Sequence, residues 1–298
     1  MAKILVTGSS GQLGSFMCEL LMRNNTVLGM DVRPQPYAHL QSISFVGDIT
    51  EEAQVKQAVQ GVNSIVHCAA QVSVERATQD PLFDAWTNIL GTVTLLNEAV
   101  QAGVSKFIYV SSAAVYGQPK NLPIDENHPT NPTSNYGTSK LAGEKYAYNF
   151  AKNTKMETVM VRPFNFYSVR ADPQSPYSGV ITKFISRVGE DMPPIIDGDG
   201  RQTRDFIHAR DVAAMIALAL EKEGLSGEVF NCGSGRSTSV NDLASMVIQI
   251  SGKRLRAEYG PPRVGDIKDS LSNSAKARRM LGFEPKISLS EGLAELIR

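Results

Sequence analysis

Apolar and polar positions along this chain alternate with two periods, one of about two residues and one of about 3.6, and the switches between them outline its elements. Ile4, Leu5 and Val6 form a short apolar run, a helical pattern follows through Arg23, and a second strand runs from Thr26 to Met30. Ile43 to Val46 predicts a third strand, Glu51 to Gln60 a helix, and Ser64 to His67 a fourth strand. Asp84 to Ala102 predicts one long amphipathic helix, and Lys106 to Val110 a fifth strand. The Pro- and Asn-rich stretch Gln118 to Pro132 is a loop that ends in a helix, Ser134 to Lys152, and Thr158 to Val161 is a strand stopped by Pro163. Such alternation predicts an α/β fold in which a doubly wound parallel sheet is covered by helices on both faces. Ligands then collect at the C-terminal edge of the strands.

Beyond Phe164 the periodicity loosens. Asp172 to Pro176 and Met192 to Gly200 read as loops around an amphipathic segment, Val180 to Val188. Asp205 to Ile207, a helix Asp211 to Leu220 and a run Glu228 to Asn231 restore the earlier pattern, so the chain is expected to re-enter its first domain. A helix Val240 to Ser251, a short strand near Leu255 to Tyr259 and two terminal helices complete it. The expected division is 1–164 plus about 203–232 as the larger domain, with about 165–202 plus 233–298 as a smaller, sequence-discontinuous cap.

At 298 residues and 42% hydrophobic content the chain can bury a substantial core. Thirty basic residues balance thirty acidic ones, so no global field draws nucleic acid or anionic lipid. The longest plainly apolar run, Val212 to Leu220, is too short for a bilayer, and the chain starts directly in a strand, so the expected location is cytoplasmic with no membrane partner. Cys18, Cys68 and Cys232 lie in apolar or turn contexts and are expected to be reduced core thiols. The four histidines make no metal-ligand spacing with cysteine, and no metal is expected.

Between the first strand and its helix the chain reads Thr7-Gly8-Ser9-Ser10-Gly11-Gln12-Leu13-Gly14. Gly8 permits the turn, Gly11 lets backbone approach a phosphate, and Gly14 lets helix and sheet pack closely. A pyrophosphate would sit on the free helix N–H groups. Asp31, seventeen positions beyond Gly14, stands where an acid takes the adenosine ribose hydroxyls, which points to NAD. Arg33 keeps NADP open as the alternative. A second signal is Tyr-x-x-x-Lys, which occurs as Tyr116/Lys120, Tyr136/Lys140 and Tyr148/Lys152. Pro119 breaks the first pair, and the third lies about 18 Å further down the helix axis, at the wrong edge of the sheet. Tyr136 opens its helix at the cofactor edge. Lys140 and a nicotinamide cation would together pull its phenol from about 10 towards working pH.

With these motifs the chain resembles the extended short-chain dehydrogenase/reductase family, in its nucleotide-sugar epimerase and dehydratase branch. The resemblance spans nearly the whole length and rests on the glycine motif, Gly47-Asp48-Ile49, His67-Cys68-Ala69-Ala70, Ser111-Ser112-Ala113-Ala114-Val115-Tyr116-Gly117, Tyr136-x-x-x-Lys140, Arg162-Pro163-Phe164-Asn165, Arg204-Asp205-Phe206-Ile207-His208 and Arg263-Val264-Gly265-Asp266. It implies a Rossmann-type fold in which Asp48 and Ile49 bracket the adenine and Ala69 and Ala70 line the nicotinamide. Gln12 and Leu13 in the glycine loop, and Asn88 in the long helix, are counted with the cofactor-binding residues. Ser112 is implied to hydrogen-bond the reacting hydroxyl and Tyr136 to be the base. Asn165, Arg204, Arg263 and Asp266 are implied to hold the nucleotide diphosphate of a UDP-sugar. A homodimer through a four-helix bundle is implied as well, with Asp84 to Ala102 and Ser134 to Lys152 as the candidate helices.

Departures from the family pattern narrow the reaction. Dehydratases carry an Asp-Glu pair after the strand-five hydroxyl residue, where this chain has Ala113 and Ala114, and no Cys/Lys pair suggests epimerisation next to a carbonyl. A C4 epimerase of UDP-hexoses is the expected activity. The alternatives are another nucleotide-sugar oxidoreductase or decarboxylase, and a non-enzymatic NAD-sensing module. Ser270, four residues after Asp266, stands where relatives use tyrosine to restrict the site to plain hexoses, so UDP-N-acetylglucosamine is expected to fit as well as UDP-glucose. After Asn165 the chain reads Phe166-Tyr167-Ser168-Val169-Arg170 where relatives have Gly-Pro, so that loop is expected to differ.

Overall fold

The computed structural model describes residues 1–171, 179–263, 265 and 267–298. The expected loop Asp172 to Pro176 lies outside them. The first half runs β1 (Lys3–Thr7), α1 (Gln12–Leu21), β2 (Thr26–Asp31), β3 (Ser44–Val46), α2 (Glu52–Ala58), β4 (Ser64–His67), α3 (Val74–Gln79), α4 (Pro81–Ala85), α5 (Thr92–Gln101), β5 (Lys106–Val110), α6 (Asn135–Asn153) and β6 (Glu157–Pro163). The second half adds β7 (Asn165–Tyr167), α7 (Val180–Gly189), β8 (Ile195–Asp197), β9 (Thr203–Arg204), β10 (Phe206–His208), α8 (Ala209–Glu221), β11 (Val229–Cys232), β12 (Thr238–Ser239), α9 (Val240–Ser251), β13 (Glu258–Gly260), α10 (Ala275–Leu281) and α11 (Leu289–Ile297).

Seven parallel strands form one sheet in the order β11-β6-β5-β4-β1-β2-β3. Strand order therefore reverses between β1 and β4, which opens a crevice at their C-terminal ends. The strands are apolar on both faces because both are covered. Ile4, Val6, Ile108 and Val161 pack with Met17 of α1 and Ile216 of α8, whereas Leu5, Ile65, Phe107 and Met160 pack with Val55 of α2 and Leu96 of α5. A third cluster, built from Phe184, Ile196, Leu243, Val247 and Leu293, is the core of the smaller lobe. Ala277, Leu281 and Phe283 join the α1/α8 face of the sheet.

Three expectations change in detail. Asp84 to Ala102 is not one regular helix, because a π-helical segment, Trp86–Gly91, separates α4 from α5. A Cβ on Gly91 would lie 2.8 Å from Ile49, so the helix passes Ile49 only at a glycine. The widened turn carries Asn88 and Thr92 to the interior. Met192 to Gly200, read as loop, contains β8, which pairs with β13. Asp205 to Ile207 does not return to the main sheet either: β10 pairs with β7, and β11 alone re-enters, beside β6. No helix among the described residues is long and apolar enough to cross a membrane.

Candidate active site

The glycine loop lies at the β1/β4 crevice, and its geometry demands its glycines. Gly8 has a φ of +71°, and a Cβ there would lie 2.7 Å from the Ala69 nitrogen. At Gly14 a Cβ would stand 2.0 Å from the Gly8 carbonyl oxygen, so only glycine lets α1 start this close to the strand. Gly11, the α1 N-cap, brings no side chain to the first-turn N–H groups. Leu13 is buried in the core, while the Gln12 Nε2 is buried with no hydrogen-bond partner among the described residues. Asp31 accepts hydrogen bonds from the Ser10 N–H (3.0 Å) and the Arg33 N–H (2.9 Å), so its carboxylate stands across the loop. The Arg33 guanidinium is mostly exposed, 3.7 Å from that carboxylate. Asp48 accepts from both the N–H and the hydroxyl of Thr50, at 2.9 Å each. Ala69 and Ala70 follow β4, and the Ala69 N–H donates to Thr7 Oγ1 at 3.3 Å. A loop packed closely at Gly8 and Gly14, an α1 N-terminus bare of side chain at Gly11, an acid at the end of β2 and an unpartnered amide at the start of α1 fit a dinucleotide.

Asn88 is placed differently from these. Its amide donates to the Gln71 carbonyl (2.9 Å), Asp84 Oδ1 (3.1 Å) and Ser139 Oγ (3.0 Å), and its Oδ1 accepts from the Gln71 N–H (2.8 Å). All its polar atoms are engaged by the protein, bracing the segment after β4 against α6. Asp84 and Gln71 were not singled out in the sequence. The polar spacing Asp84-x-x-x-Asn88-x-x-x-Thr92 on an inward helical face is the signal that could have found Asp84.

Ser134 caps α6 by accepting from the Gly137 N–H at 3.1 Å, which sets Tyr136 in the first turn. Tyr136 is partly exposed and hydrogen-bonded to Ser112, whose Oγ also accepts from the Ala114 N–H at 3.1 Å. Lys140, one turn on, is buried with Nζ 4.4 Å from the centre of the Tyr109 ring. Burial pulls its pKa down to about 8, against the opposing pull of Cys68, Asp84 and Glu144. Burial lifts the Tyr136 phenol above its ordinary value, the Ser112 hydrogen bond lowers it and Asp84 raises it. Lys140 is not among the groups that shift Tyr136, its ammonium lying on the Tyr109 ring, so the phenol is raised where the sequence led to the expectation of a lowered one. The other two tyrosine pairs are placed elsewhere. Tyr116 is buried, donating to Asn231 Oδ1 at 2.6 Å and accepting from Arg162 Nη1 at 2.7 Å. Tyr148 is 41% exposed, with Lys152 Nζ 5.3 Å from its ring centre.

In the smaller lobe Asn165 opens β7, its Nδ2 3.5 Å from the Asp205 carbonyl. Arg204 Nη1 donates to the carbonyls of Thr203 (2.8 Å) and Lys268 (3.4 Å). The Ser270 N–H donates to the Thr203 carbonyl at 3.1 Å, so Ser270 is paired to the residue before Arg204, and Ser270 is buried. Arg263 is exposed, 3.8 Å from Asp197, and lines a cavity of about 230 Å³ with Asp197, Gly198 and Lys268. Asp266 lies outside the described residues. Asp205, quoted in its motif but given no role, organises this lobe: its buried carboxylate accepts from the N–H groups of Ser234 (2.7 Å), Gly235 (2.9 Å) and Ser272 (3.0 Å).

Residues 4–233 match the NAD dependent epimerase/dehydratase family. The chain is 34% identical over 311 residues to the UDP-glucose 4-epimerase of Mycolicibacterium smegmatis, covering 99% of this chain and 97% of that one. Its structure superposes on the UDP-glucose 4-epimerase of Thermotoga maritima, solved with UDP-glucose, with a TM-score of 0.93 at 34% identity, covering 99% of this chain and 97% of that one. The UDP-N-acetylglucosamine 4-epimerase of Methanobrevibacter ruminantium, solved with UDP-N-acetylmuramic acid, gives the same TM-score of 0.93 at 29% identity, with 99% and 97% coverage. The chain belongs to the NAD-dependent epimerase/dehydratase family, with NAD as its cofactor.

Proposed function

We propose that this protein interconverts the C4 epimers of a UDP-hexose. The observation that carries the reading is Tyr136, in the first turn of α6, hydrogen-bonded to Ser112 at the sheet edge that bears the glycine loop. Gly8, Gly11, Gly14 and Asp31 hold NAD, with Asp48, Ile49, Ala69 and Ala70 along its length. NAD held there would supply a reversible hydride acceptor for sugar C4. Tyr136 removes the 4-hydroxyl proton while Ser112 orients that oxygen, and after the 4-keto sugar rotates Tyr136 gives the proton back. Lys140, beneath Tyr136 on the same helix face, supplies a buried positive charge as phenolate develops. Ala113 and Ala114 open a short 3-10 turn and carry no ionisable group, so elimination of water has no acid or base there.

Asn165, Arg204, Arg263 and Asp266 hold the UDP moiety, the arginines by charge-assisted hydrogen bonds to pyrophosphate. Ser270 leaves room for an acetamido group on the sugar, so the N-acetylhexosamine pair is accepted as well as, or better than, the plain hexose pair. The same reading includes a homodimer, supported by the exposed apolar stripe Leu82, Trp86 and Leu90, and a cytoplasmic home, supported by three free cysteines. The deciding experiment is incubation with UDP-sugars and resolution of C4 epimers. Interconversion without net NADH is expected. Steady accumulation of NADH, or inactivity across the whole panel, would overturn it.

A further inference from the structure

One turn beyond Lys140, on the same face of α6, stands a carboxylate that the proposed chemistry does not use. Glu144 is buried, and so is Arg162 of β6, which grips it through Nε (2.9 Å to Oε2) and Nη2 (to Oε1). The remaining donors and acceptors are also satisfied. Ser111 Oγ donates to Glu144 Oε2 at 2.9 Å, Arg162 Nη1 donates to the Tyr116 hydroxyl at 2.7 Å, and that hydroxyl donates to Asn231 Oδ1 at 2.6 Å. The Arg162 guanidinium also lies 4.8 Å from the centre of the Tyr116 ring. Asn231 reaches back to the Ile124 carbonyl through Nδ2 at 2.9 Å. A single ion pair thus joins α6, β5, β6 and β11.

Stability alone does not account for it. Removing two charges from water costs several kcal/mol per ion, and apolar replacements of such pairs are often neutral or stabilising. A bidentate pair does supply direction, because the guanidinium fork accepts a carboxylate in one plane. Its partners here are telling. Ser111 directly precedes Ser112, and Glu144 lies eight residues, just over two turns, beyond Tyr136, so the pair holds from below both ends of the Ser112–Tyr136 hydrogen bond. Tyr136 and Lys140 share the stripe that Glu144 anchors.

We propose that Glu144 and Arg162 are positioning residues, fixing the roll of α6 about its axis and so aiming Tyr136 and Lys140 at Ser112 and the substrate. This rests on Tyr136 and Lys140 being the working pair. Misplacement of a reacting group by about 1 Å can cost on the order of 100-fold in rate. Glu144→Gln and Arg162→Lys should therefore lower kcat by about 10- to 100-fold, leaving NAD content and the KM for UDP-sugar near wild type. Glu144 also raises the Lys140 pKa, so in Glu144→Gln the alkaline limb of the kcat–pH profile should move to lower pH. Should a single variant fail to fold, the paired Glu144→Met/Arg162→Met chain, which leaves no buried charge, takes its place with the same expected loss of kcat. Folded, NAD-loaded variants with kcat within twofold of wild type and an unmoved pH profile would overturn the inference, as would a loss carried wholly by KM or by NAD content. Tyr136→Phe run alongside separates the two readings: if it keeps full activity, the assignment of the working pair has failed, not the role of Glu144.

Discussion

Tyr136 and His67 show how the same burial serves two ends. Tyr136 keeps a solvent-facing edge and a Ser112 partner, so a ligand can reach it. Replacing it with Phe removes only the proton acceptor, and turnover should fall about 100- to 10,000-fold with folding and NAD content intact. Tyr148→Phe, on the exposed far part of α6, should leave turnover unchanged, and the reverse pattern would reassign the base. His67 is sealed between Thr7 Oγ1 (2.7 Å) and Thr92 Oγ1 (3.0 Å). Burial pushes its pKa from 6.5 down to about 3, with Lys140 adding to the effect. The unfolded chain therefore takes up this proton first, and stability falls as pH drops from 6.5 towards 3, by up to about 1.4 kcal/mol per unit. His67→Gln should flatten that part of the stability curve in urea titrations at stepped pH, and an unchanged slope would reject His67 as its source. In the proposed function Ser270 acts by size. Ser270→Tyr should exclude the acetamido sugars and spare the plain hexoses, and an unmoved ratio of the two activities would remove it from the sugar wall.

At the level of elements, the β1–α1 turn tolerates least. A methyl group on Gly14 collides with the Gly8 carbonyl, so Gly14→Ala must push α1 off the sheet. We expect a loss of about 1–3 kcal/mol in NAD-free protein, the usual range for overpacking, together with weaker NAD binding in calorimetry. Near-native values of both would mean that the loop has more slack than its packing indicates. The loop after β7 illustrates the opposite case. Where relatives have Gly-Pro, Ser168 is buried and accepts from the Arg170 N–H at 3.2 Å, and Arg170 lies between Phe16 (4.0 Å) and Tyr37 (4.3 Å) while pairing with Glu19 of α1. A segment adjoining the smaller lobe is thereby clamped to the helix that follows the glycine loop.

Across the whole molecule, the reversal of strand order between β1 and β4 brings the glycine loop, Ser112 and the start of α6 to one edge, while β7 and β9 carry Asn165 and Arg204 in the other lobe, with Ser270 bonded to Thr203 of β9. The apolar stripe on the segment from α4 to α5 is 82% exposed at Leu82, 56% at Trp86 and 39% at Leu90. Trp86→Glu should convert a dimer to a monomer in sedimentation velocity without loss of NAD. A wild-type chain that sediments as a monomer at micromolar concentration would remove the dimer from the reading.

Alternation of periods was enough to read the parallel sheet, and the glycine spacing with Asp31 was enough to read the cofactor, because both are written in contiguous residues whose local conformation decides them. Tyr136 stood apart from Tyr116 and Tyr148 through Pro119 and helix length alone. Other features belong to contacts between distant segments. The π turn at Trp86–Gly91 ends where Gly91 packs against Ile49, Asn88 is spent on Gln71 and Ser139, and Arg162 meets Glu144 only once β6 lies beside α6. The direction of the Tyr136 shift was likewise invisible in the chain. It depends on how much water the folded site excludes and on Lys140 lying against Tyr109, and neither is a property of any local stretch of sequence.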